Sequence, residues 1–311
     1  MSSSFFSKWW IYQRERFPVL AHGLLIASFS FSAVSFSSLL RGCHQLPDGK
    51  ILLVAFVNSF ISFLQLRIAD EFKDFDEDSR YRPYRPVPRG LVTLRELGWL
   101  WGGSAAVQVA LALWLNAHLL WLLAINWIYL TLMSREFFAR EWLKQRPITY
   151  LWSHMLIMPL IDFYATACDW LPATGKAPAG LFWFVVVSFF NGIVIEIGRK
   201  VRSPEKEEDG VQTYSALWGG ARASCIWISV MTVTALSAIL AAGLIQFRIP
   251  VAVCLLGLVA CGLVLVACFA RSGLDRYAKW FEKLSGVWTI LLYLILGAIP
   301  LCLQILRAAK L

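Results

Sequence analysis

The sequence predicts an all-α, polytopic integral membrane protein: a single membrane domain over 1–311, with nine transmembrane helices around a central cavity. Three observations predict it. Of the 311 residues 58% are hydrophobic, with 15 Trp and 21 Phe, which is more apolar than a soluble chain of this size. The apolar residues gather in nine runs, near 17–40, 51–69, 94–115, 117–135, 148–168, 178–198, 222–244, 249–270 and 286–306. Each approaches the roughly 20 residues that cross a bilayer as a helix. Finally, 23 of the 29 Lys and Arg lie in the N-terminal segment and in the connections after the second, fourth, sixth and eighth runs, against 6 elsewhere. Basic connections stay in the cytoplasm, so these segments are placed there. The net charge of +9 is then a topology signal and implies no nucleic-acid partner.

Residues 1–16, rich in aromatic and basic side chains, read as an interfacial segment. They have no apolar core followed by a small-residue cleavage site, so no cleaved signal peptide is expected. The first span carries Ser28, Ser30, Ser32, Ser35, Ser37 and Ser38, small residues that let helices approach closely. His22 near its start reads as structural. In the second span Asn58, Gln65 and Arg67 precede an acidic run, and polar residues at membrane depth face a bundle interior or cavity.

That run, Asp70 to Gly90, is the chemical centre of the sequence. Asp70, Asp74 and Asp78 recur every four residues, which on a helix places three carboxylates on one face. Such a face is unfavourable without a cation, and hard oxygen ligands suit Mg²⁺ bridging carboxylates to substrate phosphates. Arg80, Arg82, Arg85 and Arg89 follow, interspersed with Pro83, Pro86 and Pro88. This pattern favours an extended loop whose arginines, Arg82 and Arg85 above all, grip phosphate oxygens. The competing reading is a solvated charged loop, and the ordered acid spacing ahead of an Arg/Pro block favours a site. Loops 70–93 and 199–221 are the expected substrate-binding loops. Thr93 and Glu96 form a capping box that starts the third span.

The third and fourth spans make a hairpin around Asn116–His118. After the fourth comes an amphipathic extension, Arg135 to Lys144, that reads as an interfacial anchor or as a lid offering Arg135 or Arg140 to phosphates. The fifth span holds His154, Asp162 and Tyr164, with a kink expected at Pro159. His154 reads either as structural or as an aid to proton removal from an acceptor. The sixth span and its loop offer Asn191, Glu196, Arg199, Lys200 and Arg202, an arrangement resembling the first site in position but basic where acids would repeat. The seventh and eighth spans read as scaffold, and the connection before the ninth, with Asp275, Arg276, Tyr277 and Lys279, as an interfacial anchor. Seven Cys without CxxC or Cys/His spacing exclude a zinc or thioredoxin-like role.

Together these motifs resemble the UbiA superfamily of intramembrane prenyltransferases. Asp70, Glu71, Asp74 and Asp78 match the first family motif with Asp in place of Asn, and the run from Arg82 to Gly90 matches the basic sequel. The second motif departs from the family: Gly210 to Thr213 supplies its Gly-x-x-Thr end, but Arg199, Lys200 and Arg202 stand near the acidic positions. The resemblance implies Mg²⁺ on Asp70, Asp74 and Asp78, a prenyl diphosphate donor, and a lipophilic or aromatic acceptor in a bacterial inner membrane among membrane lipids. Asn58, Gln65, Arg67, Asn191 and Glu196 would orient donor or acceptor. Fixed cations at Arg199, Lys200 and Arg202 would meet phosphate oxygens directly. A terpene cyclase, a transferase of another phosphorylated donor and a non-catalytic lipid-binding or transport protein are the alternatives.

Overall fold

The computed structural model describes residues 5–208 and 210–308, and among them every regular element is helical. The helices are α1 (Phe5–Arg16), α2 (Val19–Leu40), α3 (Gly49–Lys73), α4 (Phe75–Tyr81), α5 (Leu94–Leu115), α6 (Leu119–Ser134), α7 (Arg140–Lys144) and α8 (Pro147–Met155). They continue as α9 (Ile157–Thr174), α10 (Leu181–Arg199), α11 (Tyr214–Trp218), α12 (Gly220–Leu244), α13 (Arg248–Ser272), α14 (Asp275–Leu296) and α15 (Ala298–Ala308). Seven segments are long and apolar enough to cross a membrane: α2, α3, α5, α10, α12, α13 and the α14–α15 pair. The other two expected spans are helical but different in form. α6 has only 16 residues, and the fifth is divided into α8 and α9 at Leu156.

Local signals set many of these boundaries. The Thr93 hydroxyl accepts from the Glu96 amide while the Glu96 carboxylate accepts from the Thr93 amide, completing the capping box. Gly175 ends α9 in the left-handed region. The break in the fifth span falls three residues before Pro159, because a proline inside a helix removes a hydrogen bond to the turn before it and crowds that turn. The ninth segment starts earlier than expected, since Asp275 to Lys279 already belongs to α14, and it breaks at Gly297. A Cβ at Gly297 would collide with the Ser32 backbone, so α2 and the α14–α15 break touch main chain to main chain. The serines of α2 that permit this approach are all buried.

The core is filled by Trp227, Trp288, Phe281, Tyr293, Phe184 and Phe36. Large apolar side chains face outward around it, among them Leu20, Trp121, Ile128, Ile249 and Val264, as a lipid-facing surface requires. At one end of the bundle Arg41 clamps Asp169 through both carboxylate oxygens, at 3.0 and 2.7 Å, with Ser37 donating to the same group at 2.7 Å. The Asp-rich stretch lies at the other end, because the 25 residues of α3 separate them by about 37 Å. A cavity of about 710 Å³ sits beside α1 against Phe17, Phe60 and Leu64.

Candidate active site

The apolar run of α3 ends at Lys73, and Asp74 makes the junction with α4. The Asp74 amide still donates to the Asp70 carbonyl at 2.9 Å, and the Asp78 amide to the Asp74 carbonyl at 2.8 Å, so the four-residue register survives the junction. The three carboxylates have different surroundings. Asp70 is partly exposed, with one ion pair to Arg67 at 3.2 Å. Asp74 has no ion pair among the described residues. Burial pushes its carboxyl above the usual range, against the neighbouring charge of Lys73 and with that of Asp70 and Asp78.

Asp78 is buried and held by Arg85 at 2.6 Å and Arg82 at 3.1 Å, with Arg16 at 4.0 Å. Of the three carboxylates expected to hold metal, Asp78 is thus enclosed by guanidinium groups, and Arg82 and Arg85 are engaged by Asp78 instead of standing free for phosphate. Local structure explains the change. The Arg/Pro block is not extended but folds into successive turns, with Arg85 N donating to the Arg82 carbonyl and Arg89 N to the Arg85 carbonyl, both at 3.0 Å. These turns bring its guanidinium groups back onto Asp78.

α1 completes the cluster. Arg16 reaches the buried Glu71 at 2.5 Å, Glu15 meets Arg89 at 3.0 Å, Lys8 pairs with Glu96, and Tyr12 packs with Ile68, Val87, Val92 and Leu97. Arg67 shares Glu71 at 3.6 Å. Beyond its interfacial character, α1 is thus a brace on the first loop. Its ionic partners lie 55 or more residues away in sequence, so no local pattern announces them.

On the other flank, Lys73 donates to the Tyr150 hydroxyl at 2.7 Å and lies 3.7 Å from Glu136. Sequence reasoning missed this trio, whose spacing follows no repeat. Glu136, Phe137 and Phe138 all have positive φ, at 49°, 54° and 58°, a left-handed turn unusual for three residues with side chains. Arg140 pairs with Glu77 at 3.0 Å and Glu136 at 3.3 Å, so α7 is tied to α4 and Arg140 is committed to carboxylates. The His154 ring stacks on Tyr150 with centroids 3.9 Å apart.

The second loop is closed by its own polar groups. Glu196 is clasped by Arg199 and Lys200, each at 2.7 Å. Arg202 takes Glu208 at 2.9 Å, and Glu207 accepts from Thr213 and Ser215 at 2.6 and 2.7 Å. Arg199 remains within electrostatic reach of Asp70. Gly210, at φ 76°, lies so close to the first loop that a Cβ there would come within 2.6 Å of the Tyr81 ring.

Three residues expected at the cavity make hydrogen bonds between helices. Asn58 donates to the Tyr164 hydroxyl at 2.9 Å and accepts from Gln108 at 2.9 Å. Trp127 donates to both Gln65 and Gln108 at 3.2 Å. Asn191 accepts from Thr289 at 3.1 Å. These amides join helices inside the bundle, where a polar side chain needs a partner as much as at a cavity wall, although the buried Asn191 Nδ2 has none among the described residues.

A model of the UbiA prenyltransferase family matches residues 29–287, most of the chain. The chain belongs to this family. As a UbiA member it is an integral membrane prenyltransferase. Its fold is similar to that of a UbiA homolog from Aeropyrum pernix K1, with a TM-score of 0.66 at 14% identity over 89% of this chain and 96% of that one. It is similar also to a digeranylgeranylglyceryl phosphate synthase, at TM-score 0.62 and 16% identity over 94% and 99% of the two chains. A UbiA homolog from Archaeoglobus fulgidus bound to DMAPP and Mg²⁺ gives a TM-score of 0.52 at 14% identity over 89% and 98%. No curated protein matches the chain by sequence.

Among the described residues no group of three or more acidic, His or Cys side chains is placed to hold a metal ion. A pair is enough for Mg²⁺, which binds through one or two carboxylates plus waters and substrate phosphates. Asp70 and the unpaired Asp74 fit that donor set, whereas Asp78 does not.

Proposed function

We propose that this UbiA protein transfers a prenyl group from an allylic diphosphate to a lipophilic or aromatic acceptor, with Mg²⁺ held by Asp70 and Asp74. The observation that carries this reading is the unpaired, half-buried Asp74 beside Asp70 at the membrane end of α3, with Lys73 and Arg199 around them. When bound, Mg²⁺ supplies charge neutralisation for the departing diphosphate. The Archaeoglobus fulgidus homolog, bound to DMAPP and Mg²⁺, supports the same donor class and metal here. The chain's own contribution is placement. Asp70 and Asp74 present oxygens from a helix end whose geometry α1 and the Arg/Pro turns fix through Glu71 and Asp78. Lys73 and Arg199 add fixed positive charge for phosphate oxygens, and the apolar bundle beyond them excludes water from the reacting carbon.

The test is release of diphosphate by the purified protein from allylic diphosphates between dimethylallyl and geranylgeranyl, with and without Mg²⁺. Release that requires Mg²⁺ and falls about 10²–10³-fold in Asp74→Asn is expected. Metal-independent release, or release unchanged by the substitution, would overturn the reading.

A further inference from the structure

His154 is 7% exposed, near the end of α8 in the divided fifth segment. Its Nδ1 lies 2.8 Å from the Tyr150 carbonyl oxygen. A carbonyl only accepts, so Nδ1 carries the hydrogen, and in the neutral ring Nε2 keeps a free lone pair. That Nε2 is buried and has no hydrogen-bond partner. An unmade bond at a buried acceptor costs about 1–3 kcal/mol, and native proteins seldom leave one without a use.

The ring is held firmly around that unused nitrogen. Tyr150 stacks on one face at 3.9 Å, and Phe137 meets it edge-on at 5.9 Å. Tyr150 is in turn fixed by Lys73, which neighbours Asp74, and Phe137 belongs to the left-handed turn from Glu136 to Phe138. Consecutive left-handed residues with side chains concentrate where a fold needs a particular placement.

We infer that His154 Nε2 is the catalytic base that takes the proton from the acceptor as it captures the prenyl group. The inference rests on the prenyl-transfer reading above. In the step, the bond between the prenyl C1 and the diphosphate oxygen breaks, and its electron pair leaves with diphosphate. The acceptor's oxygen or ring carbon donates a pair to C1 and forms the new bond. The acceptor's proton moves to Nε2, giving an imidazolium. The captured adduct is a strong acid before it loses that proton, so a neutral imidazole is base enough. Turnover returns the proton to water or to the departing diphosphate.

The experiment separates ionisation from capture in one protein. Donors between dimethylallyl and geranylgeranyl diphosphate carry an isotopic label in the bridging oxygen, and scrambling of that label into non-bridging positions reports ionisation even when nothing is captured. Capture is read as prenylated product with a panel of phenols and long-chain alcohols, prenyl alcohol from water included. His154→Asn keeps a donor toward the Tyr150 carbonyl, and His154→Phe keeps the ring stack. In both, scrambling is expected within about twofold of wild type while capture falls about 100-fold, the usual scale of general-base assistance. Capture that is unchanged, or that falls only in step with scrambling, would overturn the assignment to His154. A wild-type protein that neither scrambles the label nor releases diphosphate with Mg²⁺ would instead overturn the donor reading.

Discussion

Asp74 is a carboxylate held where its charge is poorly solvated and poorly paired, which links metal, pH and stability at one residue. Its folded-state pKa is raised, chiefly by burial, so the native protein binds that proton more tightly than the unfolded chain does. The stabilisation that comes from the neutral form is therefore present at acid pH and is lost as pH rises through the folded value. At neutral pH without metal the ionised Asp74 is a liability, and a bound cation relieves it. Asp74→Asn is expected to melt higher than wild type in metal-free buffer at neutral pH, and to lack the rise in melting temperature that Mg²⁺ is expected to give wild type. Thermal unfolding with and without Mg²⁺ checks both, and a metal-free variant that melts below wild type would contradict the account. At this scale the acid spacing was legible in the sequence because it is local. That Asp78 would be taken by Arg82 and Arg85 was not, since the same arginines suit phosphate equally well and only the turns of the Arg/Pro block decide between the two partners.

At the scale of elements, the first loop is held from two sides. α1 supplies Arg16 to the buried Glu71, and removing it leaves that charge with only the longer contact to Arg67. Because Arg67 still neighbours Glu71, Arg16→Ala is expected to cost about 1–3 kcal/mol, whereas Arg16→Leu with Glu71→Leu should recover most of the loss, since apolar replacement of a whole buried pair is close to neutral. Denaturant titration in detergent distinguishes the two. From the other side the second loop meets the first at Gly210, where positive φ and the Tyr81 ring both exclude a side chain. Gly210→Ala should cost about 1–3 kcal/mol through backbone strain alone. Adding Tyr81→Ala should return only the part due to the ring contact, which thermal unfolding of the two variants would separate. Helix starts and stops such as the Thr93 capping box were readable from sequence. The docking of α1 was not, because an amphipathic, aromatic and basic segment looks the same whether it lies on lipid or braces a loop.

For the whole molecule, hydropathy carried most of the fold, since every apolar run had to become a helix that satisfies its own backbone. Hydropathy was weakest where it had to say how each run crosses. α6 spans about 24 Å with its 16 residues, short of the roughly 30 Å hydrocarbon core. The contacts at its ends nevertheless require a crossing. α5 begins beside α1 through the Lys8–Glu96 pair, and the chain emerging from α6 meets Lys73 through Glu136, so α5 leaves the site end and α6 returns to it. Tilt or local thinning of the bilayer accommodates such a helix at a modest cost. If the basic connections mark the cytoplasmic face, single cysteines at Ser79, Glu141 and Glu205 belong there, and cysteines at Ala117 and Ala177 belong on the opposite face. In a Cys43→Ser background, a membrane-impermeant maleimide should label the first three only in inside-out vesicles and the other two only in right-side-out ones. Labelling of Ala117→Cys and Glu141→Cys from the same side would mean that α6 does not cross, and the reverse sidedness at all five positions would place the candidate site on the far side of the membrane.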